Sequence, residues 1–281
     1  MTPQSDPQSA HKKLSLPGVK HVIAVASGKG GVGKSTVSAN LALALSAEGH
    51  TVGLLDADIY GPSQGLMMGV AEGTRPETTN EFLQPIMANN LQVMSMSFLT
   101  SDRTPAVWRG PMASGALQQL LTQTYWQNVD YLVVDMPPGT GDIQLTMSQS
   151  VPMSGVVIVT TPQDIALLDA RKGIEMFRKV EVPLLGIVEN MSQHVCSECG
   201  HVETVFGAGG GNDIAAEYHT TVLGKLPLSL AIREQSDGGT PPVIADPEGE
   251  VSQIFRHIAR SIHETIDSMQ TAGPKIRVMD D

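Results

Sequence analysis

The chain has 281 residues, a formal net charge of −11 and two cysteines. That length suits one large domain or two small ones and can bury a core without staples; two thiols cannot form the disulfide framework of a small secreted domain. The acidic balance argues against non-specific DNA binding and anionic-membrane binding, which need a basic footprint, and an aromatic share of 4% argues against a long stacking groove.

The first residues are polar and rich in Pro, Ser and Gln, so 1–19 is expected to be a flexible tail and not a secretory signal. No apolar run reaches the roughly 18 residues of a membrane span. The expectation is a soluble cytoplasmic protein. His21–Ser27 is a short apolar run that ends in glycines, which predicts a buried parallel strand. It leads into Gly28-Lys29-Gly30-Gly31-Val32-Gly33-Lys34-Ser35-Thr36, a match to G-x-x-x-x-G-K-[ST]. Glycines there let successive backbone N–H groups curl around phosphate oxygens, and the helix that follows adds its positive end. Lys34 supplies a charge to the outer phosphates, and Ser35 can ligate Mg²⁺. The bland alternative, a glycine-rich turn, does not require this spacing between a strand and a helix. Helical spacing of Val37, Leu41, Ala44 and Leu45 carries that helix to about Glu48.

A second strand is expected at Thr51–Asp56, ending in Asp56-Ala57-Asp58. Ligands of open α/β sheets gather at strand C-termini, so Asp58 is placed to lie at a Mg²⁺ site with Ser35 and Asp135 and to orient an attacking water, and Asp56 to support the metal shell. Further strands are expected at 91–96, 131–135, 155–160, 184–188 and 222–226, with helices at 112–122, 165–180, 214–218 and 250–269. The strand at 131–135 ends in Asp135, the Walker B pattern, whose carboxylate would hold Mg²⁺ through a water. The stiff turn Pro137-Pro138-Gly139 after it can sense the γ-phosphate. Asp142 reads as a cap for a following helix, and a turn or cap role is the plain alternative for all strand-end aspartates. No N-K-x-D or T-K-x-D base reader occurs, which favours ATP over GTP. Asn190 is a candidate reader of the adenine edge or simply a strand-end turn residue.

His194-Val195-Cys196-Ser197-Glu198-Cys199-Gly200-His201 is the other dense chemical site. Its C-x-x-C has three readings: a redox pair, a zinc site completed by His194 and His201, or half of a cluster site in which two chains give the four thiolates a [4Fe–4S] cluster commonly takes. The spacing leaves these open. The final helix has an apolar stripe, Val251, Ile254, Phe255, Ile258, Ile262 and Ile266, that reads as core docking; its mixed polar face does not suit a membrane surface. Strands alternating with helices predict an α/β fold with a mostly parallel twisted sheet covered on both faces, in one domain over 20–270 carrying the C-x-x-C loop at 194–201, followed by a tail at 271–281.

Taken together, Gly28–Thr36, Asp56–Ser63, Val107–Met112, Asp135–Asp142, Thr160–Ala166 and Glu189–Ser192 with Cys196 and Cys199 resemble the Mrp/ApbC iron–sulfur cluster carrier ATPases. These belong to the deviant Walker A group of P-loop NTPases, with the partition and division ATPases. The resemblance runs from residue 17 to about 248. It implies a homodimeric, Mg²⁺-dependent ATPase whose Cys196 and Cys199 bridge a [4Fe–4S] cluster between subunits and pass it to apo-proteins, with cluster scaffold proteins as further partners. It also implies that Lys29 reaches the partner subunit's nucleotide, where a cation delivered in trans would stabilise the charge of phosphoryl transfer. Neither nucleic acid nor stable membrane insertion is expected. Competing expectations are a positioning ATPase of the partition type, a zinc-stabilised regulatory ATPase, and an electron-transfer reductase, whose two cysteines would stand far apart in different loops.

Overall fold

Five successive residues of the first strand, Val22–Ala26, are buried because the chain uses both faces of that strand. The computed structural model describes residues 14–99 and 110–271. In β1 (Val19–Ala26), Val22, Ala24 and Ala26 enter one hydrophobic core and Ile23 and Val25 the other. That alternation is the period-2 geometry of a strand, and it explains why the sequence shows an unbroken apolar run.

The chain continues through α1 (Lys34–Ala47), β2 (Val52–Asp56), α2 (Gln64–Met67), a small hairpin β3 (Thr78–Thr79) and β4 (Phe82–Leu83), then β5 (Ile86–Ala88) and β6 (Leu91–Ser95). After these come α3 (Gly110–Gln123), β7 (Val129–Asp135), α4 (Asp142–Ser150), β8 (Gly155–Thr160), α5 (Asp164–Lys179) and β9 (Leu184–Glu189). The last part holds a second hairpin, β10 (His194–Val195) with β11 (Val202–Glu203), then α6 (Gly210–Glu217), β12 (Val222–Lys225), α7 (Leu230–Asp237), α8 (Pro242–Ala245) and α9 (Glu250–Thr271).

Among the described residues the main sheet has eight strands in the order β12-β9-β8-β1-β7-β2-β6-β5. All neighbours are parallel except β5, which runs antiparallel to β6 at the edge. β1 lies between β7 and β8, so the chain leaves its C-terminal end at the point where the strand order departs to both sides, the usual ligand crevice of such sheets. Register brings Asp56 of β2 directly beside Asp135 of β7. One slipped residue would turn either carboxylate to the opposite face.

The α9 stripe docks on the core as expected: Phe255, Ile258, Ile262 and Ile266 are buried, each worth about 1.5–3 kcal/mol of transfer free energy. Arg256 and Arg260 both reach Glu48 at the end of α1, at 2.7 and 3.3 Å, and the Arg256 hydrogen bond holds the Glu48 carboxyl below its usual range. At the N-terminal side of the sheet, His21 stacks on Tyr131, His50 meets its edge, and the Tyr131 hydroxyl lies 2.6 Å from His263 Nδ1. Burial pushes Tyr131 up to about 12 and lowers His21 and His50.

Residues 14–19, read from the sequence as the end of a tail, are packed. Leu14 N–H donates to Ser150 O at 2.8 Å, Leu16 is buried in the core, and Val19 already belongs to β1. Their apolar side chains, Leu14, Leu16 and Val19, are what the polar average of that segment hid. Residues 1–13 and 272–281 and the Val107–Arg109 part of Val107–Met112 lie outside the described residues, and Thr271, expected to begin a tail, closes α9.

Candidate functional site

The loop after β1 is shaped by backbone that only glycine adopts easily. Gly31 and Gly33 have φ of +82° and +85°, in the left-handed region. A Cβ on Gly33 would lie 2.1 Å from Asn190 Nδ2, and one on Gly28 would lie 2.1 Å from the Asp169 backbone of α5. Gly30 and Gly31 by contrast face open space. Among the described residues, the N–H groups of 30–33 are paired with no acceptor. Gly33 leads into α1, whose first turn carries no acidic residue. A nest of free N–H groups at the positive end of a helix fits a polyphosphate. Lys29 is half-exposed at the rim and forms no ion pair among the described residues.

Below the loop lies a dense buried network. Asp135 is fully buried; its Oδ1 accepts from Lys34 Nζ at 2.6 Å and Ser38 Oγ at 2.9 Å, and its Oδ2 from Gln64 Nε2 at 2.8 Å. Lys34 Nζ also stands 3.3 Å from Ser35 Oγ and 3.9 Å from Asp58 Oδ2. The loop lysine, the Walker B carboxylate and the candidate Mg²⁺ hydroxyl are therefore in one contact set. Asp58 accepts from Gly61 N–H at 3.2 Å and remains slightly exposed, facing the crevice side of Lys34. No three His, Cys, Asp or Glu side chains among the described residues gather into a metal cage. The Ser35 hydroxyl and the Asp58 and Asp135 carboxylates are hard oxygen donors, the kind that hydrated Mg²⁺ takes beside phosphate oxygens.

Asp56 has a different place from the metal-supporting one expected of it. Its carboxylate accepts from the N–H groups of Asp58, Ser63 and Gln64 and from the Ser95 hydroxyl, and it is wholly buried. Its lone pairs are spent on folding the 57–64 loop. Burial, then the neighbouring Asp135 charge, pushes its pKa up to about 7, against the pull of the Gln64 and Asp58 amides and Lys34. Asp142 is the first residue of α4 after the N-cap Gly141; its side chain makes no cap and instead meets the helix's positive end. Gly139, with φ of +90°, donates its N–H to Ser27 O at 3.0 Å, so the Pro137–Gly139 turn is tied to the strand that feeds the loop.

Asn190 is nearly buried, and its Nδ2 donates to Val32 O at 2.9 Å, under the phosphate loop. Its amide donor thus supports the loop from behind. Ser38 and Gln64 were not singled out by sequence reasoning. Ser38 could have been found, since it follows Lys34 by four residues and so shares its helix face. Gln64 carries no such signal, because only the register of β2 with β7 brings it to Asp135.

The cysteine loop has another character. Both cysteines are free, Cys196 partly and Cys199 largely exposed. Cys196 N–H donates to His201 O and Gly200 N–H to Cys196 O, each at 2.9 Å, and Gly200 has φ of +71°. This is a tight knuckle that turns the amides of Cys199 and Glu198 toward the Cys196 sulfur. Those two amides hold its thiol below the usual value, which favours the thiolate a metal takes. His194 Nδ1–H donates to Leu228 O at 3.1 Å, which leaves its Nε2 free, and the exposed His201 Nε2 faces Glu203 Oε1 at 3.6 Å. Among the described residues the four-ligand zinc cage is not preassembled. Cys196 and Cys199 also lie in one turn, unlike the widely separated pair of the reductase reading.

A parallel sheet whose switch-point strand feeds a glycine nest, with a lysine in contact with a strand-end aspartate, defines a P-loop nucleoside triphosphatase. The family model described as "ParA: NUBPL iron-transfer P-loop NTPase" matches residues 18–263, and the chain belongs to that family. It is 62% identical over 255 residues to the "Iron-sulfur cluster carrier protein" of Pseudomonas fragi, covering 90% of this chain and 89% of that one. Among solved structures, a nucleotide-binding protein from Archaeoglobus fulgidus in complex with ADP matches at 35% identity and a TM-score of 0.74, over 85% of this chain and 93% of its own. The cell division ATPase MinD of Pyrococcus furiosus shares the fold, with a TM-score of 0.64 at 23% identity over 87% and 99% of the two chains. No helix among the described residues is long and apolar enough to cross a membrane.

Proposed function

We propose that the chain is an ATP-hydrolysing carrier of a [4Fe–4S] cluster, which two copies hold between their Cys196 and Cys199 pairs and hand to apo iron–sulfur proteins. The observation that carries this reading is the exposed knuckle. Two thiols, one poised toward its anion, stand at the surface with no third ligand from the described residues, so each chain offers half of a four-thiolate set. Family membership and the name borne by the Pseudomonas fragi relative support the same cargo. One ATPase unit over residues 20–270 would carry the cysteine loop at 194–201 and act in the reducing cytoplasm, where both thiols stay available.

At the other site, Gly28–Thr36 would bind the phosphates, with Lys34 moving from Asp135 to the outer phosphate. Ser35, with Asp135 through a water, would hold Mg²⁺, and Asp58 would orient the attacking water. Bound Mg²⁺ neutralises charge on the phosphate oxygens. Lys29, half-exposed and unpaired, is suited to reach the nucleotide of the second copy. The exposed Tyr60, Leu66, Ile165 and Leu168 near this end favour burial against such a copy. Asn190 has its amide nitrogen committed to the loop, leaving the carboxamide oxygen as the group available to an adenine amino group. Cluster scaffold proteins would load the carrier.

Anaerobic reconstitution with iron and sulfide tests the cargo. The wild-type chain is expected to gain about four irons per two chains and to elute as a dimer. Cys196→Ala is expected to lose nearly all of that iron while still binding ADP. Equal iron in the variant would sink the proposal, and zinc in protein purified without oxygen would redirect it.

A further inference from the structure

Gln64 opens α2, and its side chain is wholly buried. Its backbone N–H donates to Asp56 Oδ2 at 3.0 Å, which fixes the residue at the end of β2. Its Nε2 donates twice, to the Ser35 carbonyl oxygen at 3.0 Å and to Asp135 Oδ2 at 2.8 Å. Its Oε1 is buried and has no partner. An orphaned buried amide oxygen costs about 1–3 kcal/mol, and a methionine or leucine would fill the same space without that cost. The amide nitrogen thus joins the first turn of α1 to the Walker B strand, while the oxygen waits for a donor.

We infer that Gln64 is a positioning residue for the hydrated Mg²⁺ that arrives with nucleotide: its nitrogen fixes the Asp135 carboxylate, and its oxygen accepts a hydrogen bond from a metal-bound water. This rests on the nucleotide site proposed above. The need for such a residue follows from Lys34. Lys34 holds Asp135 Oδ1 at 2.6 Å. When it turns to a phosphate, Ser38 and Gln64 are the groups left to orient the carboxylate. Mg²⁺ brings several waters that can only donate, and Gln64 Oε1 is a buried acceptor beside Ser35 and Asp135 that carries no charge. A glutamate here would add a third carboxylate next to Asp56 and Asp135.

Calorimetric titration of the purified full chain with ADP, in Mg²⁺ and in EDTA, tests this. Wild type is expected to bind ADP in both and more tightly with Mg²⁺. Gln64→Met is expected to match wild type within about twofold in EDTA and to lose about tenfold of the Mg²⁺-dependent gain, the usual scale for a residue behind a metal's ligands. A folded Gln64→Met with the full gain would overturn the inference and leave the nucleotide site standing. Wild type that bound no ADP would overturn both. Gln64→Leu, which likewise lacks both the amide donor and the acceptor, supplies a second measurement should the methionine variant fail to fold. The same roughly tenfold loss of the Mg²⁺-dependent gain is expected, and the full gain in a folded leucine variant would overturn the inference.

Discussion

The strand ends around Asp135 and the knuckle around Cys196 solve opposite problems. At Asp135 one chain supplies nearly every partner: Lys34, Ser38, Gln64 and Asp56 form a buried network on rigid strands and the first turn of a helix. At Cys196 the support is a hairpin of two-residue strands, and Val195, Val202 and Val205 beside it are exposed. A catalytic site needs fixed geometry before substrate arrives. A loading site that must release its cargo gains from being unfinished, because a complete ligand set in one chain would hold the metal permanently. The two regions therefore differ in burial and in hydrogen bonding as their tasks require.

The largest effect that would separate them is expected from Lys34→Ala. Hydrolysis should fall by at least about a hundredfold, the usual loss when a group that stabilises transition-state charge is removed, while iron loading at Cys196 and Cys199 persists. Phosphate release and iron content on the same preparation check this. Loss of both together would show that the regions are not separable. Gly33→Ala comes next. The added methyl meets Asn190 Nδ2 at 2.1 Å in a left-handed backbone. A cost of about 1–3 kcal/mol in stability is expected, with weaker ADP binding and unchanged iron, read by denaturant melts and calorimetry.

The smallest effect lies away from both regions. Burial lowers the pKa of His50 below its ordinary 6.5, with the His263 charge adding to the shift. A depressed imidazole is neutral in the folded state, so its contribution is present above pH 6.5 and is lost as pH falls below it toward the lowered value. Asp56 acts with the opposite sign, since its raised carboxyl favours folding below its unfolded value of 3.8 and loses that advantage as pH rises through about 7. Comparison with His50→Gln isolates the imidazole. The Tm advantage of wild type over this variant should shrink by about 2 °C between pH 7.5 and 5.5; a constant difference would remove His50 from the pH response.

Much of this was legible in the sequence. The central strands were recognisable because residues such as Val22–Ala26 are buried on both faces and leave an unbroken apolar run, and the phosphate loop because left-handed turns and close backbone approach demand glycine at fixed spacing. The short hairpins were not, because two residues such as Thr78–Thr79 carry no period. Asp56 was read by its position at a strand end, and only three-dimensional structure reveals that its lone pairs are taken by the 57–64 loop. Gln64 stayed hidden for a related reason: its neighbours are 29 and 71 residues away in sequence. The C-x-x-C was visible at once, but spacing cannot say whether His194 and His201 stand beside it; among the described residues no three His, Cys, Asp or Glu side chains are gathered there.

A binding site split into equal halves obeys a different mass-action law from a whole one. If the cargo itself holds the two chains together, loading is second order in free chain, so a tenfold dilution lowers the loaded species by about a hundredfold at fixed cluster supply. Abundance of the protein then sets how much of it is charged. An acceptor that offers its own thiolates competes with a second copy of the carrier, not with a closed cage, and a cell could discharge the pool by lowering the carrier's concentration alone.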